Sequence, residues 1–256
     1  VGREAGLAPV AHALLDGPWE TPDMVAAGFV DAERGVPYIK TALDGARQIL
    51  MEEFAENAEL LTNLRESLWE NAVLYSQMVE GKTEEGAKFR DYFDYREALR
   101  KIPSHRALAL FRGRNEGILQ LSLEIGDPAA PGPDPSERRV AAQFSIRDEG
   151  RPADAWLRET VRWAWKVKLL PHLDTELKQR LREAAEEEAI RVFASNLRDL
   201  LLAAPAGARP TLGLDPGLRT GVKVAVVDAT GKLVDTATLY PHAPRNQWEA
   251  SLHVLA

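Results

Sequence analysis

The sequence predicts a mainly α chain in which an irregular helical region is followed by the start of an α/β domain. Through most of the first 200 positions, apolar residues recur at intervals of three and four, which is the helical period. After the Pro- and Ala-rich stretch 204–210, short apolar runs alternate with glycine turns, as in β-hairpins. We therefore expect a helical region over residues 1–208, with a short strand near 117–125, and the N-terminal part of a second domain over 209–256.

Composition narrows the class of protein. The chain has 256 residues, 45% hydrophobic and 28% charged, and no run of about 18 apolar residues that could span a bilayer. It contains no cysteine, which excludes disulfides and thiolate metal sites and suggests a cytoplasmic protein without a membrane partner. The first and last residues both fall within helical patterns, so we expect the chain to be a piece of a longer protein.

Helix-start signals mark the N-terminal helices. Thr21 followed by Pro22 is a hydroxyl N-cap with proline at the first helical position. A longer helix is predicted from Pro37. Asn57 can cap the next helix, which Gly81 is expected to end because glycine favours the residue after a helix.

Two further helices are predicted before residue 204. Asp154 can cap the first, and its neighbouring tryptophans are expected in a packed core rather than in a base-stacking platform. The second is long and mixed in surface charge. Its predicted apolar side contains Leu173, Leu177, Leu181, Ala185, Ala189, Val192, Phe193, Leu197 and Leu200.

A short basic segment, residues 88–114, stands out from a chain whose net charge is -7. It has 8 Lys or Arg against 3 Asp or Glu, whereas residues 1–87 have 6 against 16. Aromatic residues alternate with these cations, as in a surface that neutralises phosphates and stacks bases. The alternative is that Phe89, Phe93 and Leu99 are core residues ringed by charge.

The end of the basic segment contains the first candidate phosphate contacts. Ser104 is expected to cap a short helix through Leu110, and residues 112–117 (RGRNEG) form a predicted turn. We select as candidate nucleic-acid contacts Arg106, Arg112 and Arg114, together with Arg219 and Lys223 farther along the chain.

Asp215 is the strongest candidate for a metal-binding or catalytic residue. Two successive hairpins, with an aspartate where the first strand meets its turn, are how a ribonuclease-H-like fold begins. In such folds a strand-end carboxylate holds Mg²⁺ together with further carboxylates, so Asp215 is a candidate metal ligand and catalytic residue. No second carboxylate suited to that site can be identified, and Asp228 is expected to form the next turn.

Other catalytic signatures are missing from the sequence. The five histidines are scattered without metal-ligand spacing. There is no Walker A sequence, dinucleotide-binding glycine loop or Gly-x-Ser-x-Gly elbow. The common nucleotide hydrolase, dehydrogenase and esterase classes are therefore excluded.

Three stretches resemble the bacterial Tex family of transcription accessory proteins: residues 103–117 (PSHRALALFRGRNEG), 187–197 (EEAIRVFASNL) and 212–227 (LGLDPGLRTGVKVAVV). The resemblance runs along nearly the whole chain. It implies a helical central region leading into a YqgF-type, ribonuclease-H-like domain, and a transcription-associated protein that binds nucleic acid. Complete members add helix-hairpin-helix segments and a C-terminal OB fold that binds RNA.

Three functions remain open from the sequence. The first is a module that binds RNA or DNA in transcription and requires no cofactor. The second is a Mg²⁺-dependent nuclease or resolvase with Asp215 as a metal ligand. The third is a docking scaffold for RNA polymerase or another transcription protein, through the acidic N-terminal helices.

Overall fold

The computed structural model describes residues 5–126, 132–205, 207–217 and 220–256. The backbone divides into two compact units, residues 1–193 and 194–256, which are described separately. Within the described ranges, no helix has both the length and the apolar character that crossing a membrane requires.

The first unit begins with four helices: α1 (Ala8–Asp16), α2 (Pro22–Ala27), α3 (Ile39–Glu56) and α4 (Ala58–Asn71). Two of the four predicted caps are confirmed, whereas Ser104 and Asp154 are the first residues of their helices and make no cap hydrogen bond. Thr21 Oγ1 accepts a hydrogen bond from the Met24 N–H at 3.4 Å, and Asn57 Oδ1 accepts one from the Leu60 N–H at 2.8 Å. Each satisfies an N–H that has no partner within its helix. Three of the four leucines of α4 are buried at helical spacing: Leu60, Leu64 and Leu68. Burying each side chain contributes about 2 kcal/mol.

The helix predicted to end at Gly81 is shorter than expected. It stops at Asn71, and three strands follow that form an antiparallel sheet in the order β2-β1-β3: β1 (Val73–Met78), β2 (Asp94–Ala98) and β3 (Leu119–Glu124). The strand expected near 117–125 is β3. The other two were missed because β1 directly follows a helical pattern and β2 is mostly charged, so neither shows the apolar alternation typical of a strand.

Helix α5 (Ser104–Asn115) runs farther than predicted, through part of the expected turn. It ends in a Schellman motif, in which the N–H groups of Gly117 and Ile118 donate to the carbonyls of Arg114 and Gly113 at 3.0 and 2.9 Å. Gly117 supplies the positive φ, +70°, that this motif needs. Gly113 instead permits close packing, because a Cβ there would lie 2.5 Å from Leu119 Cδ1 of β3.

Three more helices follow: α6 (Pro135–Gln143), α7 (Asp154–Trp163) and α8 (Leu170–Leu201), the last of which continues past the end of this unit at residue 193. A π-helical segment, Ala164–Leu169, lies between α7 and α8. Trp156 and Trp165 are buried, as predicted for core residues, whereas Trp163 is half exposed. The predicted apolar side of the long helix is buried only as far as Ala185. Beyond it the expectation was wrong for four large residues, which are exposed: Val192, Phe193, Leu197 and Leu200.

The second unit contains an antiparallel sheet in the order β4-β5-β6, followed by α9 (Trp248–Leu255). Its strands are β4 (Thr211–Asp215), β5 (Val222–Val227) and β6 (Leu233–Leu239). This is the predicted pair of hairpins. The predicted fold class, a mainly helical chain followed by the start of an α/β domain, is therefore confirmed.

Candidate nucleic-acid interface

Helix α5 positions three of the five predicted phosphate contacts. Each residue turns the helix by about 100°. Arg106 and Arg114 therefore point within about 80° of each other, while Arg112 lies about 120° from Arg106. All three side chains are exposed. They occupy two sides of the helix and do not form one row.

Arg112 belongs to a small charged cluster at the end of α5. Its Nε donates to Glu116 Oε1 at 2.9 Å, and Lys88 Nζ lies 2.5 Å from Glu116 Oε2. The hydrogen bonds from Lys88 and Arg112 lower the pKa of the Glu116 carboxyl, which is therefore ionised at neutral pH. Two cations share one anion, and the Arg112 side chain is still 70% exposed. The cluster can therefore offer positive charge to an external anion.

Arg106 and Arg114 differ in how far their charge is compensated. Arg106 Nη1 lies 3.4 Å from Glu97 Oε2 of β2. The Arg114 guanidinium lies 5.2 Å from the ring centroid of Phe111, and within the described ranges no carboxylate is close enough to pair with it. Among the described residues, nothing therefore neutralises the Arg114 guanidinium.

The aromatic residues of the basic segment do not form a stacking platform. Phe89 is 4% exposed and Leu99 is fully buried, and Phe93 packs partly buried against the same core. Tyr92 and Tyr95 contact each other edge to face, with centroids 5.4 Å apart. The interpretation of Phe89, Phe93 and Leu99 as core residues is correct, so this segment can offer charge but not these rings.

Acids from other segments also reduce the net charge of residues 88–114. Arg100 pairs with Glu70 of α4, and Arg96 Nε lies 3.2 Å from Glu124 of β3. The sequence count treats these side chains as free cations. In the folded chain, the cations of this segment with no acid partner among the described side chains are Arg90, Lys101 and Arg114.

The structure adds two cations that sequence reasoning missed. A cavity of about 180 Å³ has Arg114 on its wall together with Lys178 and Arg182 of α8. More than sixty positions separate these residues from Arg114, so no local motif connects them. The one available signal is Lys178 itself, a charged residue between the buried Leu177 and Leu181.

Asp215 ends β4 directly opposite Lys223 of β5, and both line an open concavity of about 590 Å³ on the sheet. Its carboxylate makes no hydrogen bond or ion pair with any described residue. Nowhere in the described ranges do three potential metal ligands come together. One carboxylate facing a lysine does not fit a two-metal site, which needs several carboxylates. Arg219, the remaining predicted contact, lies outside the described residues.

Asp228 has the structural role predicted for it. It follows β5 at the end away from Asp215, and its Oδ1 accepts hydrogen bonds from the Thr230 hydroxyl at 2.6 Å and the Thr230 N–H at 2.8 Å. These bonds, with others from the same turn, lower the pKa of the Asp228 carboxyl. The residue stabilises a hairpin turn.

Comparison with known proteins identifies the family of this chain. Residues 17–193 match the model for the Tex central region, and residues 209–256 match that for the YqgF-like domain of Tex protein. The chain is 59% identical over 244 residues to Protein YhgF of Escherichia coli, covering 94% of this chain and 32% of that protein.

Two further relatives carry the family name. Protein tex of Bordetella pertussis is 52% identical over 262 residues, covering 100% of this chain and 33% of the relative. Transcriptional accessory protein Tex of Neisseria gonorrhoeae is 50% identical over 248 residues, covering 96% and 32%. The chain therefore spans about a third of the length of these relatives. Because the central-region match alone covers more than half of its residues, the chain belongs to the Tex family.

Proposed function

We propose that this chain works in a transcription accessory factor that binds RNA or DNA, and that the C-terminal end of α5 contacts the phosphate backbone. The observation that carries the proposal is a pair of exposed arginines at one helix end: Arg112, which shares Glu116 with Lys88, and Arg114, which has no carboxylate partner among the described residues. Family membership supports the transcriptional setting, since one relative is named a transcriptional accessory protein. RNA polymerase and other transcription proteins are the proposed protein partners, and the cytoplasm is the proposed location.

Phosphate contact is the chemistry that these side chains suit best. A guanidinium presents five N–H donors in a planar fork that matches phosphate oxygens. The buried aromatic rings leave charge as the main source of affinity, so binding should depend little on sequence and strongly on salt. Arg106, Arg219 and Lys223 are proposed as further contacts.

A salt titration tests the proposal. Binding of fluorescent single-stranded RNA and DNA to the chain is measured between about 50 and about 200 mM salt. The double variant Arg112→Gln, Arg114→Gln is expected to bind more weakly and to lower the slope of log affinity against log salt by about 1.4, at about 0.7 per lost contact. The matched control is Arg191→Gln on α8, an exposed arginine paired with Glu188. Unchanged affinity and slope in the double variant would overturn the proposal.

The predicted alternative is a Mg²⁺-dependent nuclease with Asp215 as a ligand. Its support is the free carboxylate of Asp215 at a strand end in an open concavity. It requires ligands beyond those described. The test is cleavage of labelled RNA and DNA with and without Mg²⁺, in which activity that survives Asp215→Asn excludes a metal-binding role for this residue.

A further inference from the structure

The cavity between the end of α5 and α8 is small, and three cations and one anion line it. It measures about 180 Å³ and is lined by Phe111, Arg114, Asp174, Thr175, Lys178, Gln179 and Arg182. This volume exceeds that of several water molecules at about 30 Å³ each, and falls below the roughly 300 Å³ of sites for drug-sized ligands. A compact polar group fits it better than a base or a nucleoside.

Lys178 forms the buried part of this wall. The residue is 8% exposed, and its ammonium donates to the Leu121 carbonyl at 2.7 Å and to Asp174 Oδ2 at 2.8 Å. A lysine ammonium has three donors, so one remains beyond these two bonds. Burying such a charge is costly unless it is paired, and Asp174 supplies the pairing. The ammonium is thereby held in place at the cavity wall.

Two arginines complete the cationic lining. Arg182 uses its Nε to bond Glu186 at 2.7 Å, and no other described group accepts from its two Nη atoms. Arg114 has no carboxylate partner among the described side chains, and its guanidinium lies against Phe111. The four charged residues of the lining are therefore three cations and one anion. Arginine N–H groups with no described acceptor, on the wall of a cavity that Lys178 also lines, are suited to a phosphate group.

We propose that this cavity binds one phosphate of a nucleic-acid backbone, between Arg114 and Arg182 and above the Lys178 ammonium. The inference rests on the proposed nucleic-acid binding and assigns it a specific site. It places α8 in the interface together with α5.

The decisive variant is Arg182→Gln, because Arg182 lines the cavity and has no part in the cluster of Lys88, Arg112 and Glu116. Binding of single-stranded RNA and DNA to the whole chain is measured across salt, with Arg191→Gln on the same helix as the matched control. Arg182→Gln is expected to weaken binding about tenfold, which is typical for loss of a bond to a charged group. It should also lower the salt slope by about 0.7. Arg191→Gln should change neither quantity.

A double-mutant cycle tests whether the two arginines hold the same phosphate. If they do, Arg114→Gln weakens binding less in the Arg182→Gln chain than in the wild type, because contacts that share a partner are not additive. Additive losses would show that the arginines bind separate phosphates and would overturn the shared site. Thermal unfolding of each variant identifies any loss of binding affinity that comes from destabilisation of the fold. Weaker binding together with a lower melting temperature and an unchanged salt slope counts against the site.

The remaining outcomes separate this site from the general function. If Arg182→Gln binds as the wild type does while Arg112→Gln binds more weakly, the cavity proposal fails and nucleic-acid binding by α5 stands. If neither variant changes binding, both fail. Inorganic phosphate is the second probe. One outcome is that it raises the melting temperature of the wild type but not of Arg182→Gln, while the two chains bind oligonucleotides equally well. In that case the cavity holds free phosphate and the contact with a nucleic-acid backbone is refuted.

Discussion

Gly113→Ala is expected to destabilise the chain, although alanine is the better helix former. The new Cβ would lie 2.5 Å from Leu119 Cδ1, 2.8 Å from Leu119 Cγ and 3.3 Å from Phe89 Cδ1. Leu119 is 2% exposed, so its side chain has little room to move. Overpacking of this kind costs about 1 to 3 kcal/mol. The gain in helix propensity is about 1 kcal/mol. We therefore expect a net loss of about 1 kcal/mol, and of at most about 2 kcal/mol, in the free energy of unfolding.

Urea unfolding followed by tryptophan fluorescence measures this loss. With a slope of about 2 to 3 kcal/mol per molar urea, the midpoint should fall by about 0.5 M. The control is the same substitution in a Leu119→Ala chain, where the clashing atoms are gone and Gly113→Ala should be neutral or stabilising. A Gly113→Ala chain as stable as the wild type would refute the close-packing argument, as would an equal loss in both backgrounds.

Two further predictions concern buried carboxyls, each checked by urea unfolding as a function of pH. Asp154→Asn should cost about 2 kcal/mol near neutral pH, because the buried carboxylate accepts from the Glu149 and Arg151 N–H groups and from Arg151 Nε at 2.8 to 2.9 Å. Burial acts to raise the pKa of Asp154, but these hydrogen bonds outweigh it and lower the pKa. The stability advantage of the wild type over Asp154→Asn is therefore present above about pH 3.9 and disappears in stronger acid. An advantage that does not change with pH would contradict this reasoning. Burial raises the pKa of Glu137, so its carboxyl stabilises the chain fully only below about pH 4.3, and that contribution is lost as pH rises. Glu137→Gln should therefore gain stability relative to the wild type between about pH 4 and about pH 7, and a constant difference would refute the burial argument.

Local chemistry explains the predictions that the structure confirms. The caps at Thr21 and Asn57 are bonds between residues three positions apart, so a short stretch of sequence contains everything needed to predict them. The hairpins of the second unit follow in the same way from short apolar strands and turn residues, and Asp228 bonds only within its own turn.

The missed elements depend on partners distant in sequence. Strand β2 is stabilised by pairing with β1, as in Tyr75 opposite Arg96, and its charged residues hide it from a search for apolar alternation. Helix α8 shows the opposite error. Its apolar spacing continues to Leu200, but spacing does not reveal whether another element covers that side, and from Val192 onward the large apolar residues are exposed.

The candidate site was likewise predicted only in part. The sequence located the end of α5 as a cationic segment and identified Arg112 and Arg114. The sequence did not predict which cations are neutralised, because the fold brings Glu97 of β2 to Arg106 and Glu124 of β3 to Arg96. The sequence also did not predict that Lys178 and Arg182 of α8 line a cavity with Arg114.

The sequence by itself determined the family resemblance and the positions of the basic residues. It also determined the caps at Thr21 and Asn57 and the hairpins, since these depend on residues close together in the chain. Only the tertiary structure decided which aromatic rings are core, which cations are neutralised and which remain available. Those outcomes depend on burial and on charges brought together from distant parts of the chain. The cavity that joins Arg114 to Lys178 and Arg182 exists because α8 packs beside the end of α5.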